Sequence, residues 1–268
     1  MYLFRELKKK PLEHAKLTAF GSTRRARTDV KKDPFVSSLL EAGTGVVCIV
    51  GKTWKLHVKD VLRTSLQENL AMISDTVSYL KAKKKEVFFD AEHFFDGYKD
   101  DPEYSMKALE AAVAAGVDAL VLCDTNGGSL PNEVYDITKS VVDSTGVSIG
   151  IHVHNDMVLS AANSLEAVRA GAVQVQGTMN GFGERCGNAD LCSIMPALEL
   201  KMGRRCVGRA SLKKLKEVSR YVYDLANTRP DPTAPYVGRR AFTHKAGQHV
   251  NAVQKNPKSF EHLDPAAV

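Results

Sequence analysis

The sequence predicts an α/β fold built on a parallel β-sheet, and three observations support this prediction. Short apolar or β-branched runs of about four to eight residues recur along the chain, each bounded by glycine or charged residues, as expected for strands buried on both faces. Amphipathic segments with apolar residues at i, i+3 and i+4 separate these runs. The runs begin about 25–40 residues apart, which is the period of a βα unit.

Six runs follow one another, at residues 15–20, 45–51, 86–92, 118–125, 147–155 and 172–179. The segments between them are predicted to be helices. Three of these segments end in Ala-Gly directly before the next run, at Gly43, Gly116 and Gly171. Because glycine readily adopts the left-handed conformation that ends a helix, these positions predict the helix ends.

A parallel α/β sheet can be doubly wound or closed into a (β/α)8 barrel, and the polar residues favour the barrel. Five of the six runs end in or are followed by polar groups, and a ring of polar strand ends is typical of a TIM barrel. A doubly wound sheet gathers such groups at one switch point beside a glycine-rich first turn, and no GxGxxG follows an early run. Closure requires eight strands, whereas six are predicted.

The pattern changes after residue 205, which predicts two regions. Residues 1–205 are predicted to form the barrel. Residues 206–268 form a helical and extended arm, because one helical segment is followed by a stretch rich in proline and glycine without a periodic core. Such an arm is expected to bury its few apolar residues against a partner subunit.

Composition excludes several classes of protein. The 268 residues are 44% hydrophobic and 25% charged, an ordinary globular balance. No apolar run approaches the ~18–20 residues that span a bilayer, and a secretory signal is not expected from the first residues, which contain no apolar stretch followed by a small-residue cleavage site. Five cysteines without CxxC spacing favour a reducing cytoplasm. The net charge of +6 comes from scattered basic residues, which predicts no nucleic-acid surface but suits an anionic substrate such as coenzyme A.

The stretch GIHVHND at 150–156 contains two histidines separated by one residue. Residues i and i+2 of a strand point to the same face, so His152 and His154 are predicted to project together. Imidazole pairs of this kind suit a divalent transition metal, and Asn155 and Asp156 supply polar partners nearby. The alternative is a pair of ordinary strand histidines.

Other polar stretches are ambiguous when each is taken alone. Glu92 ends its run as a potential base or as a helix cap, and Asp90 shares its face. Residues 123–128, CDTNGG, place Thr125 at another strand end. The loop NGFGERCGNAD at 180–190 can bring backbone N–H groups close to an anion, or it can be a flexible connection. His244 lies in THKAGQHVNA, on an arm where polar residues are often merely exposed.

Taken together, these motifs resemble a known family. The chain is similar to the 2-isopropylmalate, homocitrate and citramalate synthases, which belong to the metal-dependent aldolase-type TIM barrels that include hydroxymethylglutaryl-CoA lyase. The paired signatures are GIHVHNDMVLSAANSLEAV and GTMNGFGERCGNADL. The segments that most resemble the citramalate synthase branch are AFGSTRRA, FFDAEHFFDGYKDDPEYSMKAL and LVLCDTNGGSLPNEVYDI.

The resemblance implies a divalent metal (Mg, Mn or Zn) held by His152 and His154, with Asn188 as a further ligand, directly or through water. It implies that Glu92 lies beside the reacting carbonyl. It also implies that His244 reaches into a neighbouring subunit's barrel as an acid–base group, which predicts a homodimer.

The resemblance also implies substrate contacts. The residues predicted to bind the keto acid are Thr178, Asp90 and Thr125. The residues predicted to bound the coenzyme A site are Asn180, Gly181, Gly183, Glu184 and Gly187.

The chain departs from the family at both ends. The family begins with a strand bearing D-T-T-L-R-D-G, which supplies a metal-ligating Asp and a catalytic Arg, and this sequence has no such motif. We therefore expect the six strands to be strands three to eight of the barrel, with two βα units of roughly sixty residues missing before Met1. The regulatory domain of long family members is also expected to be missing after residue 268.

The resulting hypothesis is a cytoplasmic acyltransferase that condenses acetyl-CoA with an α-keto acid. The preferred acceptor is pyruvate, which gives (R)-citramalate and CoA for isoleucine biosynthesis. Three alternatives stay open: a 2-isopropylmalate or homocitrate synthase, an acyl-CoA lyase that uses Cys186 in the glycine-rich loop, and a chain that is inactive alone because it lacks a metal ligand.

Overall fold

The computed structural model describes residues 2–10 and 12–268, which divide into two compact units, Met1–Gln176 and Gly177–Val268. The first unit contains a six-stranded parallel sheet. Its strands are β1 (Thr18–Ser22), β2 (Val46–Lys52), β3 (Glu86–Glu92), β4 (Ala119–Asp124), β5 (Ser148–Val153) and β6 (Gln174–Gln176).

The strand order distinguishes a barrel sheet from a doubly wound sheet. Each strand pairs with the one before it in the sequence, from β1 to β6, without a reversal of direction across the sheet. A doubly wound sheet would show a switch point where the order reverses. The predicted (β/α)8 barrel type is therefore confirmed for this sheet, in which β1 and β6 are the two edges among the described residues.

Side chains on one face of the sheet meet although their strands are not neighbours. Gln176 Nε2 of β6 donates to Asp90 Oδ1 of β3 at 2.9 Å, and the same nitrogen lies 3.9 Å from Cys48 Sγ of β2. In a flat sheet, strands four places apart are roughly 19 Å from each other. The sheet of the first unit therefore curves towards this face, as the sheet of a barrel does.

The helices of the first unit lie mainly between successive strands. They are α1 (Tyr2–Lys8), α2 (Pro34–Glu41), α3 (Leu66–Ala82), α4 (Phe94–Asp100), α5 (Pro102–Ala114), α6 (Pro131–Thr145) and α7 (Ser160–Ala170), and a π-helical turn spans His57–Val61. Asp33 begins α2 by accepting bonds from the backbone N–H groups of Phe35 and Val36. The three predicted helix-ending glycines, Gly43, Gly116 and Gly171, all have positive φ (64°, 89° and 118°), which confirms that prediction.

The main core of this unit lies between the sheet and its helices. Alternation along β3 sends Phe89 into this core and Asp90 to the opposite face of the sheet. β4 is buried along its whole length, as expected for a parallel strand covered on both faces. The edge strand β1 differs, since its Phe20 is 65% exposed.

The second unit is mostly helical and irregular. Its helices are α8 (Leu191–Pro196), α9 (Arg209–Leu212), α10 (Leu215–Leu225) and α11 (Gly247–Lys255). Its small core contains Cys192, Leu215 and Val237. Leu215 and Val237 belong to the predicted arm, so part of its apolar surface packs within this unit. Burial of the arm against a partner subunit stays a prediction.

Two predicted boundaries deserve comparison with the observed ones. The predicted runs at 15–20 and 172–179 are wrong in extent. β1 begins only at Thr18, and β6 spans only Gln174–Gln176. The last pair of residues between β5 and β6 is His152–Gln176. Along the chain, the first compact unit ends at Gln176, whereas the predicted barrel ends at residue 205; that predicted boundary stays a prediction.

None of the described helices combines the length and hydropathy that crossing a bilayer requires.

Candidate active site at the carboxyl ends of the strands

Two histidines lie at the carboxyl end of β5. His152 is within the strand and His154 follows its last residue, where its backbone N–H donates to Asp124 O at 3.2 Å. Their ring centroids are 5.1 Å apart, with the ring planes inclined at 59°. The structure thus brings the two imidazoles together, as their spacing predicts, and their role as metal ligands stays a prediction.

A buried polar chain extends from His152 across the curved face of the sheet. His152 Nδ1 lies 3.0 Å from Gln176 Oε1, Gln176 Nε2 donates to Asp90 Oδ1 at 2.9 Å, and Cys48 Sγ donates to the same carboxyl oxygen at 3.0 Å. Burial raises the pKa of Asp90, which is 6% exposed, and burial lowers the pKa of His152. Asp90, predicted to contact substrate, is therefore already engaged by two protein donors.

Glu92 ends β3 and forms an ion pair that the sequence analysis missed. Lys52 of β2 is its partner in the strand register, and Lys52 Nζ contacts Glu92 Oε2. Thr53 fixes the backbone of Glu92, because its backbone N–H and its hydroxyl both donate to Glu92 O. Since parallel strands end at the same edge of a sheet, the Glu92 carboxylate lies at the edge that carries the two histidines.

His93 links Thr125 to a second group of polar side chains. Its backbone N–H donates to Thr125 Oγ1 at 2.9 Å, and its φ of 56° is in the left-handed region. Its ring centroid lies 4.0 Å from that of His57, and its Nδ1 lies 3.5 Å from Asp96 Oδ2. Burial lowers the pKa of His57, and the nearby His93 imidazole lowers the pKa of Asp96. The sequence analysis did not identify the His57–His93 contact.

The donor set of the first unit fits part of a divalent-metal site. Neutral imidazole is an accepted ligand of zinc, manganese and iron, and the lowered pKa of His152 favours its neutral form. Catalytic zinc sites have three protein ligands. Among the described residues there is no group of three His, Cys, Asp or Glu side chains placed to hold a metal ion. His152 and His154 therefore fit as two ligands of a site that needs a further one.

The second unit contains the predicted glycine-rich loop, which is closed by local contacts. Asn188 N donates to Gly181 O at 3.0 Å, and Gly187 N donates to Glu184 O at 2.9 Å. A Cβ on residue 183 would overlap the side-chain oxygen of Asn188, so a larger residue there would displace the Asn188 side chain. That oxygen is buried and has no hydrogen-bond partner within the described chain, which leaves it available to a ligand.

Two other predicted site residues are bonded within the same unit. Asn180 Nδ2 donates to Ser219 O at 3.0 Å, and Asn180 Oδ1 accepts from Ser219 Oγ at 2.6 Å. Thr178 Oγ1 donates to Phe182 O at 2.6 Å. The Asn180 side chain thus fastens the loop to α10, a structural role that the sequence analysis missed.

His244 lies in the carboxyl-terminal arm. Its Nε2 is 3.5 Å from Glu261 Oε1, and its ring centroid is 6.2 Å from that of Phe260. Both side chains are partly exposed, at 20% for His244 and 11% for Glu261. The predicted contact of His244 with a neighbouring subunit stays a prediction.

Family models match most of the chain. One described as HMGL-like matches residues 12–222, and one described as homocitrate synthase post-HMGL domain-like matches residues 236–268. The (R)-citramalate synthases of Geobacter sulfurreducens and Aquifex aeolicus are each 54% identical to 99% of this chain. The chain spans about half the length of these curated relatives, 50% in each case. 2-Isopropylmalate and homocitrate synthases match at 35–39% identity.

Solved structures support the fold. An HMG-CoA lyase from Acinetobacter baumannii, determined in complex with coenzyme A and 3-methylmalate, superposes with a TM-score of 0.70 at 20% identity, covering 88% of this chain and 77% of that one. At this identity the likeness establishes the fold alone. The family match over residues 12–222 and the strand order agree with this likeness. The chain therefore belongs to the HMGL-like family of (β/α)8-barrel proteins.

Proposed function

We propose that this protein condenses acetyl-CoA with pyruvate, giving (R)-citramalate and CoA. The observation that carries the proposal is the 54% identity to (R)-citramalate synthases over 99% of the chain, against 35–39% for 2-isopropylmalate and homocitrate synthases. Pyruvate is therefore preferred to 2-oxoisovalerate and 2-oxoglutarate as the acceptor. Since the chain spans half of those relatives, the reaction is proposed for the protein as a whole.

The metal would be held by His152 and His154, with Asn188 as a further ligand. A bound divalent metal supplies Lewis-acid polarisation of a ketone. The polar residues of the first unit then have distinct proposed tasks. Lys52 holds the Glu92 carboxylate in one place beside the acceptor carbonyl, and His93 holds the hydroxyl of Thr125, which contacts the keto acid.

The reaction needs a base to remove one proton from the methyl group of acetyl-CoA. The methyl carbon then forms the new C–C bond with the keto carbon of pyruvate, and the ketone oxygen takes up a proton. Water finally cleaves the thioester, which releases CoA as the free thiol and leaves a carboxylic acid. Glu92 and His244 are the two acid–base candidates, and Thr178 is proposed to contact the carboxylate of the keto acid.

The glycine-rich loop is proposed to bound the acetyl-CoA site. Its backbone approaches closely at Gly183 and Gly187, where a side chain would overlap neighbouring atoms. Loops rich in glycine can present backbone N–H groups to a phosphorylated ligand, which is the general reason for the proposal. Asp90 is proposed to contact the keto acid, and it is connected to His152 through Gln176. We further propose a homodimer in the cytoplasm and a role in isoleucine biosynthesis.

The test is the release of thiol from acetyl-CoA, with pyruvate, 2-oxoisovalerate or 2-oxoglutarate and Mg or Mn present. Two proteins are compared: the 268-residue chain, and a chain extended at its amino terminus by the D-T-T-L-R-D-G strand region. We expect release by the extended chain with pyruvate, and little release by the 268 residues alone, because the described residues offer no three-residue metal group.

The outcomes separate the candidate functions. Faster release with 2-oxoisovalerate or 2-oxoglutarate would replace pyruvate by that acceptor. Cleavage of a hydroxyacyl-CoA ester would instead support a lyase that uses the exposed Cys186. No reaction in either direction by either chain would contradict the proposal.

A further inference from the structure

We infer that Gln176 holds neutral His152 in the tautomer that carries its hydrogen on Nδ1, and so leaves the lone pair on Nε2. The inference comes from the buried chain Cys48–Asp90–Gln176–His152, whose successive contacts are 3.0, 2.9 and 3.0 Å. Its consequence for metal binding rests on the proposed function, whereas the tautomer itself does not.

The first step is the direction of the bond between Cys48 and Asp90. Burial and the neighbouring carboxylate raise the pKa of the Cys48 thiol far above its usual value, so the sulfur keeps its hydrogen at neutral pH. A thiol with its hydrogen donates, and Asp90 Oδ1 accepts. Because Oδ1 already accepts this hydrogen, it acts as an acceptor whether or not the other carboxyl oxygen is protonated.

The second step orients the Gln176 amide. The nitrogen of a primary amide only donates, and its oxygen only accepts. Since Asp90 Oδ1 is an acceptor, the Gln176 group that faces it at 2.9 Å must be the NH2 group. The amide oxygen is thereby turned towards His152.

The third step assigns the imidazole. Gln176 Oε1 lies 3.0 Å from His152 Nδ1, and an amide oxygen has no hydrogen to give. His152 Nδ1 must therefore be the donor. A neutral imidazole has one N–H, so Nε2 is left with a lone pair, which is the form that binds a metal.

The arrangement is built into the sheet rather than into local sequence. His152 and Gln176 are partners in the β5–β6 register, while Asp90 and Cys48 come from β3 and β2. A histidine in water prefers the opposite tautomer, with hydrogen on Nε2. The curved sheet thus selects the minority form before any ligand is bound, and Gln176 is a positioning residue for His152.

The test is nitrogen NMR of the 268-residue chain labelled with ¹⁵N-histidine, without metal, near pH 7.5. The His152 resonances are assigned by their absence in His152→Gln. We expect His152 Nδ1 to have the shift of a protonated ring nitrogen and Nε2 that of an unprotonated one. A wild-type spectrum showing hydrogen on Nε2 of His152 would overturn the inference.

The paired variants are Gln176→Met and Gln174→Met, two substitutions of the same kind on one strand. Gln176→Met removes the acceptor and is expected to shift His152 mainly to the Nε2–H tautomer, whereas Gln174→Met is expected to leave it unchanged. An unchanged tautomer in Gln176→Met would show that another group holds the ring and would overturn the inference.

A zinc or cobalt titration of the wild type and both variants, each made in the amino-terminally extended chain, separates this inference from the proposed function. We expect Gln176→Met to weaken metal binding by about 10–100-fold relative to Gln174→Met, as removal of a residue behind a ligand commonly does. If His152 has the expected tautomer but neither wild type nor Gln174→Met binds metal, the tautomer assignment stands and the proposed metal site fails.

Discussion

The two units of the molecule hold their polar residues in different ways. In the first unit the decisive contacts join distant parts of the sequence: Asp90 and Gln176 are 86 residues apart, and Lys52 and Glu92 are 40 apart. In the second unit, most contacts of the glycine-rich loop are local, such as Thr178 to Phe182, four residues apart.

This difference has a physical cause. Parallel strands place residues from separate βα units at one edge, so a polar group there is positioned by strand register and by the curvature of the sheet. A glycine-rich loop is positioned by its own backbone, which approaches itself closely where a Cβ is missing. The first unit should therefore be sensitive to core packing, and the second to added side-chain atoms.

The largest expected effect tests the difference in cores. Phe89→Ala removes a side chain that is 0% exposed in the first unit and should lower the free energy of unfolding by about 3–5 kcal/mol. The same substitution at Phe260 of the second unit, which is 44% exposed, should cost less than about 1 kcal/mol. Urea unfolding followed by circular dichroism measures both, and equal losses would contradict the contrast between the units.

Gly187→Ala tests the loop of the second unit. Gly187 has φ of 94°, and a Cβ there would overlap the carbonyl oxygen of Gly181, so we expect a loss of about 1–3 kcal/mol of stability. Gly247→Ala is the matched control, because a Cβ at that position has no neighbour within 4 Å. Thermal unfolding measures both variants. A Gly187→Ala protein as stable as Gly247→Ala would show that the loop tolerates side chains.

Lys52→Met tests a register contact of the first unit. Without the ammonium group the Glu92 carboxylate loses its fixed position, and we expect kcat of the extended chain to fall about tenfold, with the KM for pyruvate little changed. Lys55→Met is the control, because Lys55 pairs with Asp101 at the start of α5. Steady-state kinetics decide the matter, and equal kcat values for the two variants would remove the positioning role of Lys52.

The smallest expected effect is the pH dependence that comes from Asp33. Burial raises the pKa of this carboxyl, but backbone N–H groups of Arg25, Val36 and Phe35 outweigh it, so the pKa lies below the usual 3.8. A group with a lowered folded-state pKa stabilises the protein above its unfolded-state value and loses that contribution as the pH falls through its folded-state value. The contribution should be complete above about pH 5 and be lost as the pH falls below 3.8.

Asp33→Asn should therefore cost about 1 kcal/mol at pH 7 and less at pH 3. Asp29→Asn, at the exposed start of the turn 30–32, is the control and should show a smaller difference between the two pH values. Unfolding in urea at both pH values measures this. A cost for Asp33→Asn that does not change with pH would show that the carboxylate charge is not what caps α2.

Much of the first unit could be predicted because its signals are local. The alternation of apolar runs and helices predicted six parallel strands, and all six are present. Gly43, Gly116 and Gly171 have the left-handed φ that their positions before the strands predict. His152 and His154 lie together because side chains two apart on a strand share a face.

The partners of these residues could not be predicted in the same way. The sequence does contain a signal for Gln176, since QVQ places two amides on one face of an otherwise apolar run. Which carboxylate or imidazole an amide meets depends on the register of four strands. Lys52 could likewise be paired with Glu92 only once β2 and β3 were aligned residue by residue.

From the order of its residues alone, this chain specifies its βα repeat, its helix ends, its paired histidines and its glycine-rich loop, because each depends on spacings of a few residues. The folded sheet adds what no short spacing contains: the contact of Gln176 with Asp90 and the ion pair at Glu92. These contacts exist because strands far apart in sequence end at one edge and curve towards each other. The chemistry proposed for His152 depends on both levels, since the local pattern supplies the imidazole and the curvature supplies the neighbour that selects its tautomer.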